Sequence, residues 1–269
     1  MRVTLLGTQG WIPTEGRETT CFAVEDDHRL LVFDAGTGLS RLVAPPWRSL
    51  VERCEEVHLF LTHYHLDHVC GLAYLPAVFP ERRVTVYAPH ESVTGVDPHD
   101  ALSGLIRPPY NPRPWRELPG VEVRALREGV SRVAGHRIVV RAQAHSDVSV
   151  AYRLDDALVV ATDKTPDSAT ADFAAGADVL LHEAWYLDDL PRGGVPPALR
   201  AGLAAHSEAL AVARLAAAAG VRHLILVHLN PLLDEAAYAA MATAAREVFA
   251  ATAVYPDGTV LELGGGVND

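Results

Sequence analysis

The stretch Thr62-His63-Tyr64-His65-Leu66-Asp67-His68 constrains this chain more than any other feature, because it places three imidazoles and one carboxylate within six residues. The apolar run Val57–Leu61 precedes it and is typical of a buried strand, and a helical pattern follows from Val69 to Leu75. We therefore expect the cluster to lie in a loop that connects a strand to a helix.

Imidazole and carboxylate are the ligands that zinc and similar divalent ions prefer. Four donors so close along the backbone are not expected to reach one ion. The alternate residues His63 and His65 can point to one ion, and Asp67 and His68, on the next turn, can point to a second ion beside it. Two ions about 3.5–4 Å apart form a hydrolytic site. The alternative is a polar loop with chance histidines, which would carry the cost of burying unpaired polar groups.

Three motifs in order resemble those of the metallo-β-lactamase superfamily: the His-x-His-x-Asp-His cluster, the glycine-rich segment Leu31–Gly38, and the segment Thr4–Thr20. Thr4–Thr20 resembles the N-terminal signature of the ribonuclease Z and small-substrate phosphodiesterase branch. This resemblance implies an α/β fold, a four-layer αββα sandwich, formed by a single domain over residues 1–269. Periodicity alone predicts only a mixed α and β domain.

A binuclear site needs more ligands than one loop supplies, and His145, Asp163 and His228 each follow a predicted strand. The resemblance implies that Asp163 bridges two ions and that a water or hydroxide between them is the nucleophile, with Asp67 helping to orient it. The implied ligands are His63, His65 and His145 for one ion, and Asp67, His68 and His228 for the other. Zinc is the first expectation, and manganese or iron also suits a mixed histidine and carboxylate site.

Two further segments, Leu180–Ala184 and Ala204–Glu208, resemble paired elements of the same branch. The resemblance implies that Glu183 holds His206, and that His206 protonates the leaving oxygen or steadies the phosphoryl group. Imidazole suits proton donation near neutral pH. The alternatives are a salt bridge for Glu183 and a position before a helix cap for His206. Likewise, Asp34 could orient a ligand imidazole or cap the following turn.

The chain has 269 residues and a formal net charge of −11, which disfavours binding of long nucleic acid. Three widely spaced cysteines, no signal-peptide pattern and no apolar run of membrane-spanning length indicate a cytoplasmic protein without a membrane partner. We attribute the single lysine, Lys164, to genomic bias. A homodimer is implied by resemblance only.

Ribonuclease Z carries a long arm that grips transfer RNA between the positions of His145 and Asp163, where this sequence predicts a tight hairpin. We therefore favour a small or cyclic anionic phosphodiester as the substrate of a binuclear phosphodiesterase. The alternatives are a transfer RNA 3′ endonuclease, a lactone or thioester hydrolase, and a metal-binding protein without turnover.

The remaining pattern predicts strands at Arg2–Gly7, Arg83–Ala88 and Val148–Leu154, a short helix at Asp172–Ala175, and a helix that opens at Ser207 as its N-cap. A proline-rich stretch runs from Pro98 to Pro119. Within it the Arg107–Arg116 loop could hold phosphate and stack on a base, or could be a rigid surface connection. Residues that recognise the leaving group are expected on this loop and on Leu187–Gly202.

Overall fold

The computed structural model describes residues 1–187 and 205–264 of the chain. The strands in these residues are β1 (Arg2–Gly7), β2 (Cys21–Asp26), β3 (Arg29–Phe33), β4 (Glu56–Phe60), β5 (Arg83–Pro89), β6 (Val121–Leu126), β7 (Gly129–Val133), β8 (His136–Gln143), β9 (Ser149–Leu154), β10 (Leu158–Ala161), β11 (Val179–Glu183), β12 (His223–Val227), β13 (Thr252–Ala253) and β14 (Val260–Glu262). The α-helices are α1 (Arg48–Arg53), α2 (Leu66–Val69), α3 (Leu75–Val78), α4 (Glu91–Thr94), α5 (Pro98–Leu105), α6 (Ser168–Ala174), α7 (Ala209–Ala219) and α8 (Glu235–Val248). Three 3-10 helices span Thr37–Val43, Cys70–Tyr74 and Trp115–Glu117.

The first of two compact units comprises residues 1–8, 12–128 and 257–262. Its sheet has the strand order β14-β1-β2-β3-β4-β5-β6. The pairs from β14 to β3 are antiparallel, and β3 to β6 are parallel. Buried strand residues such as Val32 and Leu59 share one apolar cluster with helical residues such as Leu39 and Leu72, so the helices cover one face of the sheet.

The second unit comprises residues 9–11, 129–256 and 263–269, and its sheet has the order β13-β12-β11-β10-β9-β8-β7 in the described residues. Strands β7 to β10 pair antiparallel, and β10 to β13 are parallel. Val159 and Leu224 of this sheet share an apolar cluster with Ala213 of α7 and Met241 of α8. Each unit is therefore a mixed sheet with helices, which confirms the predicted α/β class. The single-domain boundary at 1–269 stays a prediction.

The predicted strands lie within one or two residues of the observed ones, whereas two helix predictions were wrong in detail and one helix was not predicted. Helix α7 begins at Ala209 with Glu208 at its N-cap, and the hydroxyl of Ser207, the predicted cap, instead donates to the Lys164 carbonyl. Helix α6 is capped by the side chain of Asp167 and ends at Ala174. Helix α5 lies where a loop was expected, since Asp97 caps it and Pro98 is tolerated in its first turn. Of the Leu187–Gly202 segment, all but Leu187 lies outside the described residues.

None of the helices in the described part of the chain combines the length and apolarity that a bilayer crossing requires.

Candidate metal centre

The histidine-rich loop follows β4 as the sequence predicted, and its last residues, Asp67 and His68, lie in the first turn of α2. His65 is extended and forms the N-cap of α2, and its carbonyl accepts a hydrogen bond from the His68 main chain at 3.0 Å. The His63 ring centroid lies 4.4 Å from that of His65 and 4.3 Å from that of His68. His68 Nε2 lies 3.3 Å from Asp67 Oδ2, and His63 and His68 are buried. The loop therefore gathers three imidazoles and a carboxylate into one small volume.

Asp34 orients this loop from the end of the neighbouring parallel strand β3. Its carboxylate accepts hydrogen bonds from the main-chain N–H of Thr62 at 2.7 Å and from the Thr62 hydroxyl at 2.9 Å. Nδ1 of His68 lies 2.8 Å from Oδ2 of the same carboxylate, which is fully buried. An acceptor at Nδ1 places the imidazole proton there and leaves Nε2 able to coordinate a metal ion. Of the two roles the sequence left open for Asp34, the imidazole contact is the one the structure contains.

Two glycines permit the close approach of the backbone behind this loop. A Cβ on Gly36 would overlap the carbonyl oxygen of Asp67, and a Cβ on Gly71 would overlap the carbonyl oxygen of Gly36. The glycine-rich segment after Asp34 is therefore required for the loop to lie against the β3 terminus.

In the second unit, the candidate residues meet at the end of the sheet where β8, β10, β11 and β12 terminate, because these four strands all run in the same direction. Asp163 Oδ1 lies 3.4 Å from His145 Nε2, and Asp163 Oδ2 lies 3.3 Å from His228 Nε2. Asp163 and His228 are 2% and 1% exposed, so this carboxylate sits between two imidazoles away from solvent. Both histidines offer Nε2 to the same side chain, as ligands of a shared centre would.

Several of these residues have strained backbones. Asp34, Asp163 and His228 have φ angles of 60°, 53° and 47°, in the left-handed region that residues with a Cβ rarely adopt. Each one directly follows a strand or lies within two residues of its end. Such strain concentrates at functional sites, where the surrounding structure holds it in place.

Glu183 and His206 form the predicted pair, with His206 Nδ1 at 2.6 Å from Glu183 Oε2. Burial by itself raises the pKa of Glu183, but the neighbouring imidazoles of His206 and His228 outweigh it and hold that pKa below its usual value. The second carboxylate oxygen accepts from the Lys164 main chain at 2.9 Å and from the Ser207 hydroxyl at 3.2 Å. Glu183 is thus an ionised acceptor that fixes a proton on Nδ1 of His206 and leaves Nε2 directed away from it.

Sequence reasoning missed three neighbours of this pair: Ser207, Lys164 and Trp185. The Ser207 hydroxyl donates to the Lys164 carbonyl at 2.6 Å as well as to Glu183. The Lys164 ammonium is fully buried and lies 2.7 Å from Asp167 Oδ2. The solitary lysine was a signal that could have been followed, whereas nothing in the sequence distinguishes Ser207 from a helix cap.

The donor set fits divalent metal ions. Imidazole nitrogens and carboxylate oxygens are present both in the 63–68 loop of the first unit and among His145, Asp163 and His228 of the second unit. Within the second unit, donor atoms of Asp163, His206 and His228 all lie within 4.8 Å of one another. This grouping also allows His206 to serve as a ligand, which sequence reasoning had not considered.

The Arg107–Arg116 loop is exposed at Tyr110, which is 79% accessible, whereas its Trp115 is buried in the core of the first unit. The Arg107 guanidinium lies over the Tyr110 ring at 5.9 Å from its centroid, the distance of a long cation–π contact. A role in substrate binding stays a prediction.

Comparisons with known proteins agree with this geometry. The family model of the metallo-beta-lactamase superfamily matches residues 14–162. A ribonuclease Z from Methanothermobacter thermautotrophicus is 25% identical over 320 aligned residues, covering 98% of this chain and 97% of the relative. The metallo-beta-lactamase fold protein YhfI from Bacillus subtilis superposes with a TM-score of 0.73 at 21% identity, covering 97% of this chain and 99% of that one. A diphosphatase from the PhnP family superposes with a TM-score of 0.67 at 19% identity, covering 97% of each chain. The structural matches confirm the predicted fold type.

Proposed function

This chain belongs to the metallo-beta-lactamase superfamily and is a hydrolase, and we propose that it is a metal-dependent phosphodiesterase that cleaves a small or cyclic phosphodiester. The observation that carries the proposal is the buried Glu183–His206 pair, with 2.6 Å between Oε2 and Nδ1. A phosphodiester releases an alkoxide that needs a proton, and an imidazole held by a carboxylate can supply one near neutral pH.

Both clusters are proposed to supply ligands to one binuclear centre, as the order of the motifs along the chain implies. His63, His65 and His145 would hold one ion; Asp67, His68 and His228 would hold the other; Asp163 would bridge them. Zinc is the proposed metal, and manganese and iron are compatible with the same donors. When bound, such ions supply an activated water molecule and stabilise the negative charge of the phosphoryl group.

The chain's own residues have distinct tasks in this proposal. Asp34 keeps Nδ1 of His68 protonated through the 2.8 Å contact, so that Nε2 is available as a ligand. Asp67 accepts a hydrogen bond from the attacking water and orients it. Glu183 holds the proton of His206 on Nδ1, and a second proton on Nε2 of His206 passes to the leaving oxygen.

The region between His145 and Asp163 supports a small substrate. Strands β9 and β10 are joined there by the turn Asp155-Asp156-Ala157, so no arm extends from this part of the chain. The net charge of −11 points the same way, because long nucleic acid is bound through basic surfaces.

Transfer RNA 3′ processing is the second candidate, and the similarity to a ribonuclease Z over nearly its whole length favours it. The alignment spans 320 positions and this chain has 269 residues, so the relative carries residues that this chain lacks. A partner subunit that supplied an arm would remove this objection. A lactone or thioester hydrolase is less favoured, because the Glu183–His206 pair is the element that the resemblance assigns to the phosphodiesterase branch.

A substrate panel distinguishes these candidates. The protein would be assayed with zinc and with manganese against 2′,3′- and 3′,5′-cyclic nucleotides, cyclic ribose phosphates and precursor transfer RNA. We expect turnover of at least one small phosphodiester to exceed cleavage of precursor transfer RNA. Efficient cleavage of precursor transfer RNA alone would favour the second candidate. A cytoplasmic location and a homodimer are further parts of the proposal, and native mass spectrometry tests the dimer.

A further inference from the structure

Trp185 lies against the proposed acid in an unusual way. It follows β11 by two residues, and its indole stacks on the His206 imidazole with 3.7 Å between ring centroids and 4° between ring planes. Only 6% of the residue is exposed. A parallel contact this close covers one entire face of the imidazole.

The same indole is fixed along its edge and through its main chain. Its indole nitrogen Nε1 lies 3.0 Å from Nδ1 of His228, so the edge of the indole contacts that imidazole. Its main-chain N–H donates to the Ser207 carbonyl at 2.9 Å, and its carbonyl accepts from the Asn230 side chain at 3.3 Å. Trp185 is therefore held by groups on both sides of the site and can itself act as a rigid wall.

A rigid wall matters because the hydrogen bond to Glu183 leaves His206 one freedom. An imidazole that is attached at Cγ and hydrogen-bonded at the adjacent Nδ1 can still tilt about the line through these two atoms. This tilt moves Nε2, which lies on the far side of the ring. Proton transfer requires donor and acceptor heavy atoms within about 2.6–3.2 Å. A misplacement of about 1 Å costs on the order of 10²-fold in rate.

We propose that Trp185 is a positioning residue that sets the plane of His206 and thereby aims Nε2 at the leaving oxygen. This inference rests on the proposed function, because it assigns His206 the role of acid. Trp185 itself transfers no proton and contacts the reaction only through His206.

Two esters with the same phosphoryl group separate positioning from general damage. The p-nitrophenyl ester of thymidine 5′-monophosphate loses a stable phenolate, which needs no acid, whereas the dinucleotide thymidylyl-thymidine loses an alkoxide, which does. The measured quantity is the ratio of kcat/KM for the dinucleotide to kcat/KM for the p-nitrophenyl ester. Partial loss of metal or of folded protein lowers both rates and leaves this ratio unchanged.

Trp185→Ala is expected to lower the ratio about 10- to 100-fold, and Trp185→Phe, which keeps an aromatic face, is expected to keep it within about 3-fold. In a His206→Ala background, Trp185→Ala should produce no further fall in the ratio, because its effect passes through His206. Trp47→Ala is the matched control, since Trp47 packs against the core of the first unit and lies outside the proposed site and the Arg107–Arg116 loop. An unchanged ratio in Trp185→Ala, or a further full fall in the double variant, would overturn the proposal.

Tryptophan emission of the metal-free protein tests the stack independently of turnover. His206→Ala should change the emission when Trp185 is present and should not change it in the Trp185→Phe background. Equal changes in both backgrounds would refute the stack. If the wild-type protein cleaves neither ester nor any phosphodiester of the substrate panel, the phosphodiesterase proposal fails and the inference, which depends on it, is overturned as a catalytic role. If it cleaves only cyclic substrates, the ratio is measured with the best of these and bis(p-nitrophenyl) phosphate in place of the two esters. If the wild type is active and the ratio does not respond, only the inference fails.

Discussion

Replacing Asp34 by asparagine is expected to weaken zinc binding about 10- to 100-fold, the usual effect of changing a group that orients a metal-binding histidine. The carboxylate accepts from Thr62 N at 2.7 Å and faces Nδ1 of His68 at 2.8 Å. An asparagine whose oxygen keeps the Thr62 contact presents an NH2 group to that Nδ1. Nδ1 must then accept, the imidazole proton moves to Nε2, and the nitrogen proposed to coordinate the metal is blocked.

Asparagine is the appropriate substitution because the backbone at residue 34 has a φ of 60°. Asparagine visits the left-handed region readily, whereas alanine would add strain to the loss of the carboxylate. The variant exchanges charge-assisted hydrogen bonds for neutral ones, so we expect about 1–2 kcal/mol of lost stability and a folded protein.

The assay is a zinc titration of the metal-free protein in competition with a chromogenic chelator. Asp257→Asn is the control: Asp257 is a buried carboxylate of the same unit that accepts from Thr8 and Glu18. That variant should lose stability and keep its zinc affinity. Zinc affinity of Asp34→Asn equal to that of the wild type would refute the reasoning that Asp34 prepares His68 as a ligand.

Three further outcomes follow from the same structure. Asp163→Ala should lose at least one bound metal and nearly all turnover, because the carboxylate lies between His145 and His228. Metal analysis checks this, with replacement of the exposed Asp156 by alanine as control, and unchanged metal content in Asp163→Ala would contradict the prediction. His206→Ala should keep its metal content and lose about 10²–10⁴-fold in rate on substrates with an alkoxide leaving group; loss of a metal instead would make His206 a ligand. Burial lowers the pKa of His182 to about 4. As the pH falls from about 6.5 towards 4, the unfolded chain therefore binds a proton at this histidine that the folded chain does not bind. Up to about 3 kcal/mol of the free energy of unfolding is lost over this range. Denaturant unfolding at pH 7 and pH 4.5 checks this: the His182→Leu variant should lose less of its free energy of unfolding between the two pH values than the wild type. An identical loss in both proteins would disprove the prediction.

The sequence indicates a definite set of candidate donors because metal-binding chemistry leaves few alternatives, and their role as ligands stays a prediction. Histidines at alternate positions after an apolar strand, and single histidines or aspartates directly after other strands, follow from the need to place ligands at the edge of a sheet. The contact between Asp34 and His68 could be anticipated for the same reason, although only the structure separates it from a turn cap.

The supporting residues could not be predicted, because their roles depend on packing between distant segments. Ser207 has the sequence context of a helix cap, yet its hydroxyl donates to Glu183 and to the Lys164 carbonyl. Trp185 has the appearance of an ordinary core residue until its ring is seen parallel to that of His206. Helix α5 was missed because prolines dominate the stretch, although Asp97 and Pro98 are a regular helix start.

The central claim is that the histidine and aspartate clusters bind two divalent ions and use them to hydrolyse a phosphodiester. The most direct test is to titrate the metal-free protein with zinc while bis(p-nitrophenyl) phosphate hydrolysis is followed. We predict that activity rises until two equivalents of zinc per chain are bound and then levels off. Binding of fewer than two ions, or binding of two ions without hydrolysis, would contradict the claim.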